Sequence, residues 1–193
     1  MRVLAPIFAM LLCALPAESA QAQAPAPAAN GGAQYGAQPP ATPAPPLPGA
    51  AQPIVAGRKA ALLPDGTAAA PAEAPPEVQA AVWAANGIQD KPYRYGGGHR
   101  SFTDSGYDCS GTVSFALKAA NLVKTPLDSS SFMSWGASGP GQWVTIYTEP
   151  SHAYMVVAGL RFDTSGASGR GGSRWTREMR ESGGYTVRHP AGL

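Results

Sequence analysis

Cysteine is nearly absent from this sequence: its 193 residues include two, Cys13 and Cys109. That excludes a disulfide-built scaffold, because at most one pair could form. Charge is also scarce. Asp, Glu, Lys and Arg make up 13% of residues, and the formal net charge is +2. The balance is too slight for a nucleic-acid footprint. Histidines number three, with no other ligand type at close metal-type spacing, which disfavours zinc. "YGGGH" (Tyr95 to His99) matches neither phosphate-loop pattern and follows no strand, which disfavours nucleotides. No segment after the N-terminal one is long and apolar enough to span a membrane, and no internal repeat is visible.

The chain divides by composition. Residues 1–22 carry a positive start, an apolar run and a small-x-small site at Ala20–Ala22, the layout of a signal peptide. Leu12 before Cys13 argues against a lipoprotein. The expected location is therefore secreted or periplasmic. Residues 23–76 hold 13 of the 20 prolines and few large apolar groups, so a disordered Ala/Pro-rich linker is expected there. Residues 77–193 have the length and the Val, Ile, Leu and aromatic content of one domain.

Within that domain "PPEVQAAVWAANGI" reads as a helix, with Glu77 in its first turn and Gly87 at its close. "CSGTVSFALKAANL" has helical period, with Asp108 as N-cap and Cys109 in the first turn. Between them lies a glycine-rich loop, and a Ser-rich connection follows the second helix. "QWVTIYT", "HAYMVVAG", "LRFDT" and "YTVRH" read as strands, and "SGASGRGGS" as a flexible loop. The layout is α+β.

Cleavage of the leader would leave Cys109 unpaired, and an unpaired cysteine in an exported protein suggests an intermolecular bridge or a reactive thiol, with an inert buried cysteine as the alternative. A thiol attacks as thiolate, so it needs a partner that lowers its pKa, and an imidazolium is the strong choice. His152 opens a strand. If Ala158-Gly159 or Gly159-Leu160 forms a two-residue turn, Asp163 falls on the His152 face and can orient the ring. A three-residue turn would reverse that parity. His99 reads as an exposed loop residue, and His189 is the fallback third partner.

The run "KPYRYGGGHRSFTDSGYDCSGTVSFAL" resembles the signature of the NlpC-like cell-wall cysteine peptidases. Pro92, Tyr93, Gly96, Gly97, Asp108, Cys109, Ser110 and Gly111 carry the likeness. The resemblance implies a papain-like fold, with Cys109 at a helix N-terminus packed on an antiparallel sheet. It implies Cys109 as nucleophile, His152 as base and Asp163 as the orienting residue. Tyr93, with Asp108 and Ser110 of the motif, would serve the substrate or the oxyanion, aided by the Cys109 N–H. Peptidoglycan stem peptides would be the substrate, and no metal or cofactor is needed.

The sequence departs from the family at three points. "PGQWVTIYT" stands where Gly-Asp-Leu is usual, the third residue is Asp, and an arginine-rich tail follows (Arg170, Arg174, Arg177, Arg180, Arg188). The tail could shape a substrate groove toward carboxylates, or form a solvated face partly offset by Glu178 and Glu181. Two further readings stand beside the peptidase: a thiol amidase or acyltransferase on another substrate, and a non-catalytic wall-binding module.

Overall fold

The computed structural model describes residues 52–165 and 172–193. The leader, the linker up to residue 51 and the centre of the 165–173 loop lie outside them. Among the described residues no helix is long and apolar enough to cross a membrane.

Order begins ahead of the expected boundary at Glu77. Strands β1 (Ile54–Val55), β2 (Ala61–Leu62) and β3 (Ala68–Pro71) form a small sheet in the order β1-β3-β2. β1 and β3 are parallel, while β2 and β3 are joined through the turn Leu63–Thr67. Asp65 caps this turn by accepting from the Thr67 N–H at 2.9 Å. Alanine is what lets the segment order. Ala68, Ala69 and Ala70 are 0–3% exposed. Side chains this small allow a strand backbone to sit close against a helix.

That helix is α1 (Pro76–Asn86), started by Pro76 at its first position, where no amide is required. It buries Val78, Ala81, Val82 and Ala85. Its polar residues tie down the arm. Gln79 Nε2 donates to the Pro71 carbonyl at 3.0 Å, and Trp83 Nε1 donates to the Pro53 carbonyl at 3.1 Å. Asn86 accepts from the Ala68 N–H and donates to the Ala68 carbonyl, both at 2.9 Å.

Helix α2 (Cys109–Ala119) is capped by Asp108, whose Oδ1 accepts from the Gly111 N–H at 2.8 Å. Its Val113, Ala116 and Leu117 are fully buried. Burial contributes roughly 1.5–3 kcal/mol for each large apolar side chain. In the Ser-rich connection a short α3 (Ser129–Phe132) forms under its own cap, Asp128.

The second sheet comprises β4 (Ala137–Ser138), β5 (Val144–Glu149), β6 (His152–Val157), β7 (Leu160–Asp163), β8 (Arg174–Thr176) and β9 (Thr186–His189). Their order is β4-β9-β5-β6-β7-β8, antiparallel throughout. Ile146, Met155, Val157 and Phe162 join Val113 and Leu117 in one core, so helices pack on an antiparallel sheet in an α+β arrangement. β8 and β4 form where only loop was expected.

The glycine-rich loop docks backbone to backbone on the start of α2. Asp108 donates its N–H to the Gly97 carbonyl at 3.2 Å. A Cβ on Gly111 would stand 2.1 Å from that same carbonyl oxygen. Gly111→Ala must therefore push the loop off the helix. Its expected cost is about 1–3 kcal/mol or more, visible as a lower midpoint in denaturant unfolding.

Candidate active site

Three elements bring the expected side chains together. Cys109 is the first residue of α2 and His152 the first of β6. Asp163 is the last residue of β7. The β6–β7 turn is the two-residue one at Ala158-Gly159, since Val157 pairs with Leu160. Both turn residues have positive φ (47° and 89°), as hairpins joined by two residues favour. This parity puts Asp163 beside His152, and His152 Nε2 lies 3.0 Å from Asp163 Oδ1.

With Nε2 turned to Asp163, Nδ1 is the ring nitrogen left for the thiol, whose pKa responds to His152. Ser129 Oγ lies 3.7 Å from Sγ. Burial pushes the Cys109 thiol up. The bonds from His152, Ala153 and Ser129, with the His152 charge, outweigh this and bring it below its ordinary value. Burial likewise pulls His152 down, but the Asp163 and Cys109 hydrogen bonds and charges drive it up to about 9. Both shifts favour the charged pair, a thiolate beside an imidazolium, over the neutral one. The sign follows from linkage. The stability contributed by His152 is complete below its ordinary value of 6.5 and is lost as pH rises through about 9.

Asp163 is fully buried and carries more partners than an orienting residue needs. Its Oδ1 also accepts from the Ser165 N–H at 2.9 Å. Oδ2 accepts from Arg180 Nη1 at 3.1 Å and lies 3.5 Å from Arg161 Nε. Burial raises its pKa, yet the His152 bond, the Ser165 amide, the His152 charge and Arg180 hold it below the usual carboxylate range.

The remaining expected residues divide. Tyr93 is 46% exposed and close enough to feel the charges of Cys109 and Asp108, which together with burial raise its pKa. Asp108 and Ser110 are buried, and their polar atoms are engaged within the protein. Asp108 binds Gly111 N–H, Gly96 N–H at 3.0 Å and His99 Nε2 at 3.0 Å. Ser110 Oγ donates to Asp108 and lies 3.0 Å from the same His99 nitrogen. His99 is therefore not a free loop residue; the loop folds back and its side chain is only 33% exposed. His189 is the distant one, its Nδ1 bonded to the Gly139 carbonyl at 2.9 Å. The Cys109 and Ser110 amides, at the first two helical positions, have no intrahelical acceptor and can receive an anion.

Arg180, singled out in the sequence only as one of the tail arginines, joins the site in a way that sequence reasoning missed. It reaches Asp163 from the tail, and its Nη1 stands 3.1 Å from His152 Nε2. Two other tail arginines are also docked, Arg177 on the Leu62 carbonyl at 3.0 Å and Arg188 on the Met133 carbonyl at 2.7 Å. These contacts correct the picture of a simply solvated face. No local spacing signals them, since each spans a long sequence separation.

Among the described residues no three His, Cys, Asp or Glu side chains are grouped to hold a metal ion. A shallow cavity of about 260 Å³ lies away from the thiol, lined by Arg58, Lys59, Trp143 and Thr145. No protein-family model matches the chain, and no curated protein matches it either.

Proposed function

We propose that the chain is an exported cysteine hydrolase of papain-like arrangement that cleaves amide bonds in peptidoglycan stem peptides. The hydrolase reading is carried by one observation: Asp163 holds His152 Nε2 at 3.0 Å, and the same imidazole lowers the pKa of the buried Cys109 thiol. That arrangement activates a thiol, holds its base and keeps the base charged until it is used. The cell-wall substrate is carried by the resemblance of the Tyr93–Gly97 and Asp108–Gly111 stretches to NlpC-like peptidases. Export is carried by the leader pattern of residues 1–22, and the Pro-rich segment that follows would give reach into the wall.

The Cys109 thiolate attacks the amide carbonyl, and the Cys109 N–H and Tyr93 stabilise the resulting oxyanion. His152 gives its Nδ1 proton to the departing amine as the C–N bond breaks, leaving a thioester on Cys109. His152 then takes a proton from water, the hydroxide attacks the thioester, the C–S bond breaks, and a carboxylic acid leaves as the Cys109 thiolate is regenerated beside the reprotonated His152. Asp163 holds the ring throughout.

Incubating the purified protein with peptidoglycan fragments and reading products by mass spectrometry checks this. A cleaved stem peptide is expected, with the rate falling on the order of 10⁴-fold or more in Cys109→Ala. Fragments that stay intact with the native protein would count against it.

A further inference from the structure

We infer that Arg180, framed by Tyr154 and Tyr185, binds a carboxylate carried on the leaving-group side of the scissile amide. The inference rests on the hydrolase reading and deepens it by naming a charge on the substrate.

Arg180 is only partly used by the protein. Its hydrogen bond to Asp163 Oδ2 runs through Nη1 at 3.1 Å, and the same nitrogen stands 3.1 Å from the His152 edge. Among the described residues Nε and Nη2 carry no hydrogen bond, and the side chain is 32% exposed. Nor does Asp163 require Arg180 for neutrality, because Arg161 stands at 3.5 Å and His152 at 3.0 Å. Asp163 and the Cys109 thiolate together face two guanidiniums and an imidazolium, a surplus of one positive charge, and Arg180 is its exposed member. Glu149 lies across the β5–β6 pair from His152 and offsets part of it, while accepting from Ser151 Oγ at 3.1 Å.

The aromatic rings make this edge a binding surface. The guanidinium carbon lies 5.5 Å from the Tyr154 ring centre and 5.8 Å from that of Tyr185. Tyr154 is stacked on Tyr147 at 4.8 Å and meets Tyr185 edge-on at 5.3 Å. Rings packed in this way fix the orientation of the guanidinium and thin the water around it. A charge-assisted, two-point bond to a carboxylate gains from both effects.

Position decides which part of the substrate would meet it. The leaving amine takes its proton from His152, so the departing residue must lie over that ring. Tyr185 stands edge-on to His152 at 6.5 Å, and both Arg180 and the Cys109 charge act on it. It therefore lines the site on the side running from the thiol to Arg180. A carboxylate one residue beyond the scissile nitrogen, a span of about 3.5 Å, falls on the Arg180 side.

The test uses the full chain and two synthetic stem peptides, L-Ala-γ-D-Glu-L-Lys with a free C-terminal carboxylate and the same peptide as its carboxamide, each read for release of the Lys residue at the γ-D-Glu amide, the bond that the resemblance implies. The native protein is expected to favour the carboxylate by roughly tenfold in kcat/KM, and Arg180→Gln to bring the ratio toward one. A purely structural role for Arg180 would slow both peptides equally and leave the ratio unchanged, which overturns the subsite. Equal rates with native protein overturn it too. Calorimetric binding of both peptides to Cys109→Ala, with and without Arg180→Gln, separates this inference from the hydrolase reading. Discrimination in binding without hydrolysis by the native chain leaves the subsite standing and removes the hydrolase. Equal binding of the two peptides, or no binding of either, removes the subsite.

Discussion

Asp163→Ala is expected to cost about 3–5 kcal/mol of stability and, with it, most of the activity. The side chain is fully buried, and its removal strands Arg161, whose own side chain is 6% exposed. Breaking a buried ion pair from one side leaves an uncompensated charge, the origin of that magnitude. For a domain of this size it corresponds to a fall in Tm of roughly 10–20 °C. Activity should drop about 10³-fold or more even where the variant is still folded, because the His152 ring loses the partner that orients it. Thermal unfolding followed by circular dichroism gives the first number. Residual turnover well below the melting range gives the second. A variant that melts like the native protein would mean that Arg161 finds another partner.

Deleting everything before Glu77 is expected to be more damaging still. The cut removes β1, β2 and β3, uncovers Val78, Val82 and Ala85, and leaves Gln79, Trp83 and Asn86 without their carbonyl partners. These lost hydrogen bonds, at about 1 kcal/mol each, plus the exposed apolar face, approach the whole stability of an ordinary domain. A truncated chain starting at residue 77 should show a broad or absent thermal transition, whereas one starting at residue 52 should unfold cooperatively. Equal cooperativity in the two would show that the arm is dispensable.

The contrast between these two regions explains what could be read from the sequence. Helix α2, the strand opened by His152 and the strand closed by Asp163 are local patterns, each set by period and capping, and they were legible. The turn between the last two was narrowed to a choice of parities that the Ala158-Gly159 conformation resolves. The arm was not legible because proline and alanine lack large apolar groups, and burial through small size leaves no hydrophobic pattern. One signal was present, however. "LLPDGTA" is a turn sequence flanked by apolar residues, and it lies at the β2–β3 connection. Arg180 and His99 were missed for a different reason. Their partners are fixed by tertiary folding, Arg180 meeting Asp163 17 residues away, and no short-range rule links such pairs.

The central claim is that His152 keeps Cys109 ionised near neutral pH. Its most direct measurement is the rate of Cys109 alkylation by iodoacetamide against pH, in the native protein and in His152→Ala. The native rate should reach its plateau well below the pH at which an ordinary thiol ionises, about 8.5. In His152→Ala the rise should move to at least that value, slowing labelling at pH 6.5 by about tenfold or more. Superimposable profiles in the two proteins would contradict the account, because they would leave Cys109 a buried thiol indifferent to its neighbour.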